Sequence, residues 1–448
     1  MDTKADSKEG TYPNALTGEN VAEDSESPSS SASSESDLAA PPDGGYGWVV
    51  VGACATLNGF TWGVNASYGV YLAHYLQSDQ FPEATPTDYA FIGGLNFSIA
   101  MLVAPLVTPT AREIGPRKTM FIGVAIQTLG WILASFCKRI WQLYLTQGIL
   151  IGLGLGFIFI PSIAVMSQWF SKKRSLANGI SAAGSGLGGL IWSFLTRAVI
   201  DKLGIEWTLR ITGIVVCVVN CIATSLMRHR NHLIKPTQNG FDWRLLIRFD
   251  MMLLLSWAFI LNFGYVTILF SIPDYCTSVG MTKSQASTAL AILNLGTALG
   301  RPLIGVISDR LGRFEVAEVC TMLVAALSLA MWIPANGFAV TLVYCLLIGA
   351  VLGIFWVSVA PLSIEVVGLK ELPSALSLSW LAIVLPCTFG EVIALHIRRP
   401  ENQHPYLYAQ LFAALSYLVA GVFLDLLRRV VRKRQREEKE AEAIASSS

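Results

Sequence analysis

Two ionisable residues lie inside long apolar stretches of this sequence, where a charge is costly. Arg301 stands eight residues before Asp309, and an Arg in the middle of an apolar layer costs roughly 2.5–3.5 kcal/mol. Such a side chain normally faces a cavity or a partner, and its planar guanidinium can hold a carboxylate through two parallel hydrogen bonds. The alternative is that Arg301 reaches along its helix to a polar surface. Arg301 is therefore a candidate anion-binding residue.

Glu391 is the second ionisable residue in an apolar stretch. It is a candidate proton carrier, but the preferred interpretation is simpler: a carboxylate near a segment end, solvated or paired with Arg398. An enzyme working inside such stretches would need paired carboxylates, a His cluster or a Ser/Lys dyad. None is apparent, and none of the eight cysteines forms a C-x-x-C pair. We therefore expect no catalytic residue, metal or cofactor.

Polar and aromatic side chains in the same stretches could line a cavity around these charges. Each alone is as readily a packing residue. The candidates are Asn58, Asn65, Tyr68, Asn262, Tyr265, Asn294, Phe355, Trp356 and Trp380. The predicted binding set consists of Arg301 with Asn65, Tyr68, Asn262, Asn294, Phe355 and Trp356.

The composition indicates which elements must position these residues. Of the 448 residues 53% are hydrophobic and only 14% are charged, whereas a soluble domain carries about 25% charged residues. A helix of about 20 apolar residues crosses a bilayer, and twelve stretches meet that length. The sequence thus predicts an all-α integral membrane protein with twelve transmembrane helices. The predicted spans are 48–72, 90–108, 119–136, 143–165, 176–197, 209–227, 251–272, 286–307, 316–333, 338–362, 376–397 and 407–427.

Loop lengths and composition divide the chain into two halves with flanking tails. The longest internal loop separates six spans from six, and the loops after spans 2 and 8 carry glycines at corresponding points, Gly115 and Gly312. The start of the chain is acidic and serine-rich, with almost nothing to bury. The predicted parts are a disordered tail 1–42, a six-helix bundle 43–227, a cytoplasmic linker 228–250, a second six-helix bundle 251–427 and a basic, charged tail 428–448.

Lys and Arg are divided unequally between the two membrane faces. The loops that share a face with both tails carry 14 of them, and the C-terminal tail adds seven, against eight on the opposite face. By the positive-inside rule both termini are cytoplasmic. The net charge is +1 and no basic surface suggests nucleic acid. The expected partners are the bilayer and a small solute, with protons as a candidate coupling ion. The plasma membrane is the expected location, with a vacuolar membrane as the alternative.

The loop after span 8 carries a charged pattern with a mechanical interpretation. It reads Gly305-x-x-x-Asp309-Arg310-x-Gly312-Arg313. An Asp at a helix end can cap a neighbouring helix or pair with an Arg, and a glycine permits close helix approach. We expect a latch that holds the two halves together on the cytoplasmic side. The equivalent first-half loop, residues 112–118, lacks this Asp.

Two further segments, with this loop, carry a family resemblance. One is Asp43-Gly44-Gly45-Tyr46-Gly47-Trp48, and the other runs from Trp169 through Arg174 to Gly184. The loop after span 8 resembles the cytoplasmic signature of the major facilitator superfamily. The two segments resemble the paired signatures of its monocarboxylate transporter family, and the Ser-rich tail resembles the fungal branch. The resemblance covers about residues 43–427. It implies alternating access around a midplane site, with a substrate-engaging Arg at Arg301-Pro302.

Two departures from the family limit what the resemblance implies. Where animal members have a proton-coupling Asp this chain has Thr297, and the helix 1 Lys is replaced by Asn65-Ala66-Ser67. Lactate-like symport therefore does not transfer directly. The sequence predicts a secondary transporter of a monocarboxylate or related organic acid. The alternatives are a neutral heteroaromatic solute, such as a riboflavin-like one, and a nutrient sensor with the transporter fold.

Overall fold

The computed structural model of the protein describes residues 41–78, 81–335, 337–399 and 404–447. Within these ranges all regular structure is helical. Seven helical stretches are long and apolar enough to cross a membrane, or eight when the bent pair Phe91–Leu102 and Ala104–Ile114 counts as one crossing. The predicted disordered tail, residues 1–42, lies almost entirely outside the described residues.

Two of these stretches are too long for one crossing. Arg174–Leu226 has 53 residues and Phe338–Ile397 has 60, whereas one crossing needs about 20. Each turns at a glycine, Gly204 or Gly368, with φ of +78° and +81°. An L-residue with a side chain rarely adopts that conformation. Each long stretch is therefore divided into separate crossings at its glycine.

Counted this way, the described helices form twelve segments, which confirms the all-α membrane fold. They are α1, made of Gly47–Phe60, Trp62–Ala66 and Tyr68–Ser78; α2, made of Pro86–Leu102 and Ala104–Ile114; α3, Pro116–Ala134; α4, Ile140–Met166; α5 and α6, the two arms of Arg174–Leu226; α7, Phe249–Ser278; α8, Lys283–Leu311; α9, Arg313–Trp332; α10 and α11, which share Phe338–Ile397 and divide at Gly368; and α12, Leu407–Ser447. Two short linker helices, Asn231–Ile234 and Trp243–Ile247, separate α6 from α7.

The first crossing is broken where hydroxyl side chains bond back to the helix. Thr61 Oγ1 donates to the Leu57 carbonyl at 2.6 Å, and Ser67 Oγ donates to the Val64 carbonyl at 2.7 Å. Such bonds compete with the backbone ladder and bend helices. The short piece Trp62–Ala66 between the two breaks carries Trp62 into the centre of the bundle.

α5 packs closely on both α1 and α8 because glycines replace side chains at the contacts. A Cβ on Gly184 would lie 2.0 Å from the Ala55 carbonyl oxygen of α1, and one on Gly179 would lie 2.4 Å from that of Arg301 in α8. No side chain fits at either distance. Helices without a strong hydrophobic drive to associate commonly pack through such small residues. α5 thereby joins the first half of the chain to the second.

Large apolar side chains on the outside of the bundle suit a lipid environment. Phe194 of α5 is 69% exposed and Leu299 of α8 is 63% exposed. Water would penalise this surface by about 25 cal/mol per Å², and lipid does not.

Both described ends of the chain lie at one end of the bundle, which we call the tail face. The amide of Asp43 donates to the Trp169 carbonyl at the start of α5, and Arg434 of α12 binds Asp250 at the start of α7. α12 continues as a helix through the predicted basic tail. Its Arg428 pairs with Glu318 of α9 at 3.0 Å. The division into bundles 43–227 and 251–427 stays a prediction.

Candidate functional site

Arg301 is buried in the contact between α8 and α5 rather than extended to a polar surface. It is 5% exposed, and its Nη1 donates to the Ala182 carbonyl and to Ser185 Oγ, both at 2.7 Å. Its Nε has no hydrogen-bond acceptor among the described residues. A Cβ on Gly353 would lie only 2.4 Å from that Nε. The guanidinium is thus held by α5 and flanked by α10, with its Nε–H still available.

No carboxylate pairs with Arg301 among the described residues. Thr297, one turn earlier, donates its hydroxyl to the Leu293 and Gly349 carbonyls at 3.0 and 3.1 Å. The Tyr265 hydroxyl of α7 lies close enough to interact electrostatically with the guanidinium. A buried charge without a counter-charge is unfavourable by several kcal/mol. An anion entering this region would therefore be stabilised by Arg301.

Six aromatic rings from both halves meet next to this region, and we call them the aromatic cluster. Trp356 of α10 contacts the other five, at ring-centroid distances of 5.8–6.2 Å. It is stacked on Trp380 with an interplanar angle of 16°. The cluster consists of Trp62, Phe97 and Phe159 of the first half and Tyr265, Trp356 and Trp380 of the second. Phe355 packs behind it, against Trp257 and Trp356.

The other predicted binding residues lie in different contacts. Asn262 is fully buried, and its Nδ2 donates to the Ala258 carbonyl of its own helix at 2.7 Å. Tyr68 donates to the Tyr89 carbonyl of α2 at 2.8 Å. Asn294 belongs to the α5–α8 contact, where its backbone carbonyl oxygen, not its side-chain amide, faces Gly186. Asn65 is half-buried at the break in α1. Of the predicted set, Arg301 and Trp356 both neighbour Tyr265, and Phe355 packs behind Trp356.

Glu391 lies between α11 and α7. Both its carboxylate oxygens are 3.1 Å from Ser271 Oγ, which donates to them. The suggested pairing with Arg398 is not formed among the described residues, because Arg398 binds Asp274 and Tyr406 instead. The Tyr406 hydrogen bond, with the charge of Asp274, raises the pKa of Arg398. Glu391 therefore has a hydroxyl partner and forms no salt bridge with any residue that the structure describes.

Two carboxylates cap the start of α5 at the tail face. Asp309 accepts the amide N–H groups of Ser175 and Leu176 at 3.0 and 2.8 Å. Asp43 Oδ1 accepts those of Ser171 and Lys172 at 2.7 and 2.8 Å. Negative charge at a helix N-terminus is favoured by the helix dipole. The segment that begins at Asp43 and the loop Gly305–Arg313 thus converge on the helix start that lies in the segment Trp169–Gly184.

Arg313 ties the same region to α10. Its Nη1 donates to Glu365 at 2.5 Å, its Nη2 donates to the Ser171 carbonyl, and its Nε is 3.8 Å from Asp309. Arg310 is exposed. Glu365 was not singled out from the sequence. The sequence feature that could have identified Glu365 is a single carboxylate near the end of an apolar span.

Glycines and aromatic residues complete the predicted signatures. Gly305 lies so close to α5 that a Cβ there would be 2.5 Å from the Ser175 carbonyl oxygen, and Gly312 has a φ of +114°. The amide of Gly47 donates to the Gly44 carbonyl, which closes the turn into α1. Trp48 packs edge-on against Phe170 at 5.0 Å. Arg174 is buried, and its Nε donates to the Phe170 carbonyl at 2.9 Å.

A twelve-segment apolar bundle with a buried arginine and a helix start capped from the other half of the chain is consistent with a membrane transporter. Comparison with known proteins agrees. The family model described as Major Facilitator Superfamily matches residues 51–391, and the chain belongs to that superfamily.

The related proteins are named as transporters. The chain is 35% identical over 393 residues to the "Probable transporter MCH2" of Saccharomyces cerevisiae, covering 86% of this chain and 83% of that protein. It is 28% identical to the "Fujikurins efflux protein" of Gibberella fujikuroi, over 86% of this chain and 83% of that protein. A crystal structure of the superfamily transporter FucP in the outward conformation superposes with a TM-score of 0.64 at 15% identity, covering 84% and 98%. The chain is therefore a multi-pass membrane transporter.

Proposed function

We propose that this transporter carries an organic acid, a monocarboxylate or a close relative, by alternating access. The observation that carries the proposal is Arg301. It is nearly fully buried where α5, α8 and α10 meet, lacks a carboxylate partner among the described residues, and keeps Nε without an acceptor. The missing counter-charge is best supplied by the carboxylate of the solute. The resemblance to the monocarboxylate transporter family supports the same assignment.

In the proposed cycle, the two halves rock around Arg301 and the tail face opens and closes. The cap of Asp309 on α5 holds the tail face closed, and its hydrogen bonds break when α5 separates from α8. The Lys and Arg distribution favours the tail face as cytoplasmic. We place the protein in the plasma membrane, with a vacuolar membrane as the alternative. Glu391 is the proposed proton carrier.

A neutral heteroaromatic solute is the second candidate, because the aromatic cluster offers stacking surfaces that need no charge. Such a solute would not depend on Arg301. A nutrient sensor with this fold would bind solute with negligible flux. One experiment distinguishes the organic-acid transporter, the transporter of a neutral solute and the sensor.

The test is uptake and efflux of labelled monocarboxylates, aromatic acids and riboflavin-like solutes at two external pH values. Wild type is compared with Arg301→Ala and with Arg429→Ala, an exposed arginine of α12, at verified equal surface expression. We expect an acid to be transported, Arg301→Ala to abolish this, and Arg429→Ala to leave it intact. Transport that survives in Arg301→Ala, or a neutral solute as the only one moved, overturns the proposal. Binding without flux favours the sensor.

A further inference from the structure

Three unsatisfied indole N–H groups lie in the aromatic cluster beside Arg301. The Nε1 atoms of Trp62, Trp356 and Trp380 are buried without an acceptor among the described residues, as is Arg301 Nε. All four are donors. Trp62 belongs to the first half of the chain, and the other three donors belong to the second. A small aliphatic acid would satisfy Arg301 and leave the indoles unpaired.

The cluster and Arg301 are adjacent along α10. Gly353 flanks the guanidinium, and Trp356 follows three residues later, on the same side of the helix. Tyr265 connects them, since it lies 6.1 Å from the Trp356 ring and interacts with Arg301. A ligand with its carboxylate on Arg301 would therefore place its remaining atoms among the rings.

We propose that the solute is a planar aromatic carboxylic acid that carries further acceptor oxygens. This inference rests on the proposed function and narrows it. The carboxylate binds Arg301, the ring stacks among the indoles, and keto or hydroxyl oxygens accept from the indole N–H groups. Aromatic pairs prefer offset or edge-to-face arrangements, which the cluster already adopts internally. Trp62, Phe97 and Trp356 are only half-buried, so part of each side chain is not covered by protein.

Three α-keto acids with one head group provide the test. Pyruvate, 4-methyl-2-oxopentanoate and phenylpyruvate differ only in a methyl, a branched alkyl or an aromatic substituent. We expect wild type to bind phenylpyruvate about tenfold or more tightly than the branched acid, the discrimination a shaped pocket can supply. Trp356→Leu should remove this preference and change pyruvate binding by about twofold at most. Trp356→Phe keeps a ring but lacks the N–H, so its preference for phenylpyruvate should lie between those of wild type and Trp356→Leu.

Trp243→Leu, at a 60% exposed tryptophan of the linker, is the control and should behave as wild type. If all three acids are transported with Arg301 dependence but without aromatic preference, this inference fails and the proposed function stands. If Trp356→Leu weakens all three equally, the cluster is a packing element and the inference fails. If no acid is bound or transported, the proposed function itself fails.

A second, independent inference concerns the linker between α6 and α7. Residues 236–241, which we call the strap, run over the boundary between the two halves at the tail face. The Thr237 amide donates to the Lys370 carbonyl at 2.8 Å, and the Asn239 amide to Ser374 Oγ at 3.0 Å. Ser377 Oγ donates to the Gly240 carbonyl at 2.6 Å. All three partners stand on α11.

The strap also touches the first half. A Cβ on Gly240 would lie 1.9 Å from the carbonyl oxygen of Pro105 in α2. Gln238 is 5% exposed and closes a small cavity between α2, α4 and α11, lined by Thr108, Ala111 and Leu376 among others. The strap therefore covers the place where these helices would separate if the tail face opened.

We infer that the strap is a seal that must leave the α2–α11 boundary during each opening of the tail face. The test uses Ala111→Cys in a cysteine-free background, labelled from the tail side with an impermeant thiol reagent. Gly240→Ala forces the strap off the Pro105 backbone and should raise the labelling rate about tenfold. Ser377→Ala, which removes one hydrogen bond, should raise it less. Gly52→Ala, where a Cβ meets nothing within 4 Å, should leave it unchanged.

Fast labelling in the parent, or equal rates in Gly240→Ala and Gly52→Ala, overturns the seal. Should Gly240→Ala fail to reach the membrane, Ser377→Ala decides alone, since it adds no atom to the contact. An unchanged rate in Ser377→Ala then counts against the inference.

Discussion

Asp43 and Asp309 cap the same helix end from parts of the chain 266 residues apart. Asp43 binds the amides of residues 171–173 ahead of α5, and Asp309 binds those of residues 175 and 176 in its first turn. Asp43 belongs to the same half as α5, whereas Asp309 belongs to the other half. One carboxylate therefore shapes the helix start, and the other joins the halves. Their substitutions should differ in effect.

Asp309→Asn should open the tail face. The amide keeps one acceptor but loses the charge that the N-terminus of α5 favours, a change of about 1–2 kcal/mol. This corresponds to a shift of about 5- to 30-fold in the closed-to-open ratio. Labelling of Ser308→Cys, buried at the α5–α8 contact, should speed up by that factor. Asp201→Asn, at an exposed Asp at the other end of α5, is the control. Equal rates in both variants would show that Asp309 is not a latch.

Asp43 should act locally on the start of α5. It has a φ of +52°, a region that Asn tolerates and Ala disfavours. Asp43→Ala should therefore lose both cap and backbone fit, about 1–2 kcal/mol. Asp43→Asn should lose much less. Hydrogen exchange of the amides of residues 171–173 measures the effect directly. Equal exchange in the two variants would contradict the role of the backbone conformation.

The sequence predicted those features that a short segment determines by itself. The apolar lengths of the helices, the buried position of Arg301 and the capping role of Asp309 follow from local pattern and spacing. Tyr265, Trp356 and Trp380 of the aromatic cluster were among the candidate cavity residues, but Trp62, Phe97 and Phe159 were not, because the six rings come from six helices and the periodicity within one helix does not show which rings meet. Asn262 and Tyr68 looked like cavity residues, but each binds a backbone carbonyl. The strap was unpredictable for the same reason, since its partners on α11 lie more than 130 residues away.

Gly353→Ala should weaken anion binding without removing any polar group. A methyl there would lie 2.4 Å from Arg301 Nε, so the guanidinium must move from its present position. Overpacking of this kind costs about 1–3 kcal/mol. The KM for a transported acid should therefore rise by up to about 5- to 150-fold, with little change for any neutral solute. Gly52→Ala is the control. An unchanged KM would mean that solute is not bound beside Nε.

Glu391→Gln should uncouple transport from protons while leaving solute binding in place. The amide can still accept the Ser271 hydroxyl that now lies 3.1 Å from both carboxylate oxygens, so the α7–α11 contact is kept, but it carries no proton. With one coupled proton, a pH difference of one unit drives about tenfold accumulation. In vesicles with such a gradient, wild type should approach tenfold accumulation of the solute. The variant should stop when the solute concentrations inside and outside the vesicles are nearly equal. Solute exchange without a gradient should proceed in both. Glu437→Gln, at an exposed residue of α12, should match wild type. Accumulation that persists in Glu391→Gln assigns the proton to another group and leaves Glu391 as a helix-packing residue.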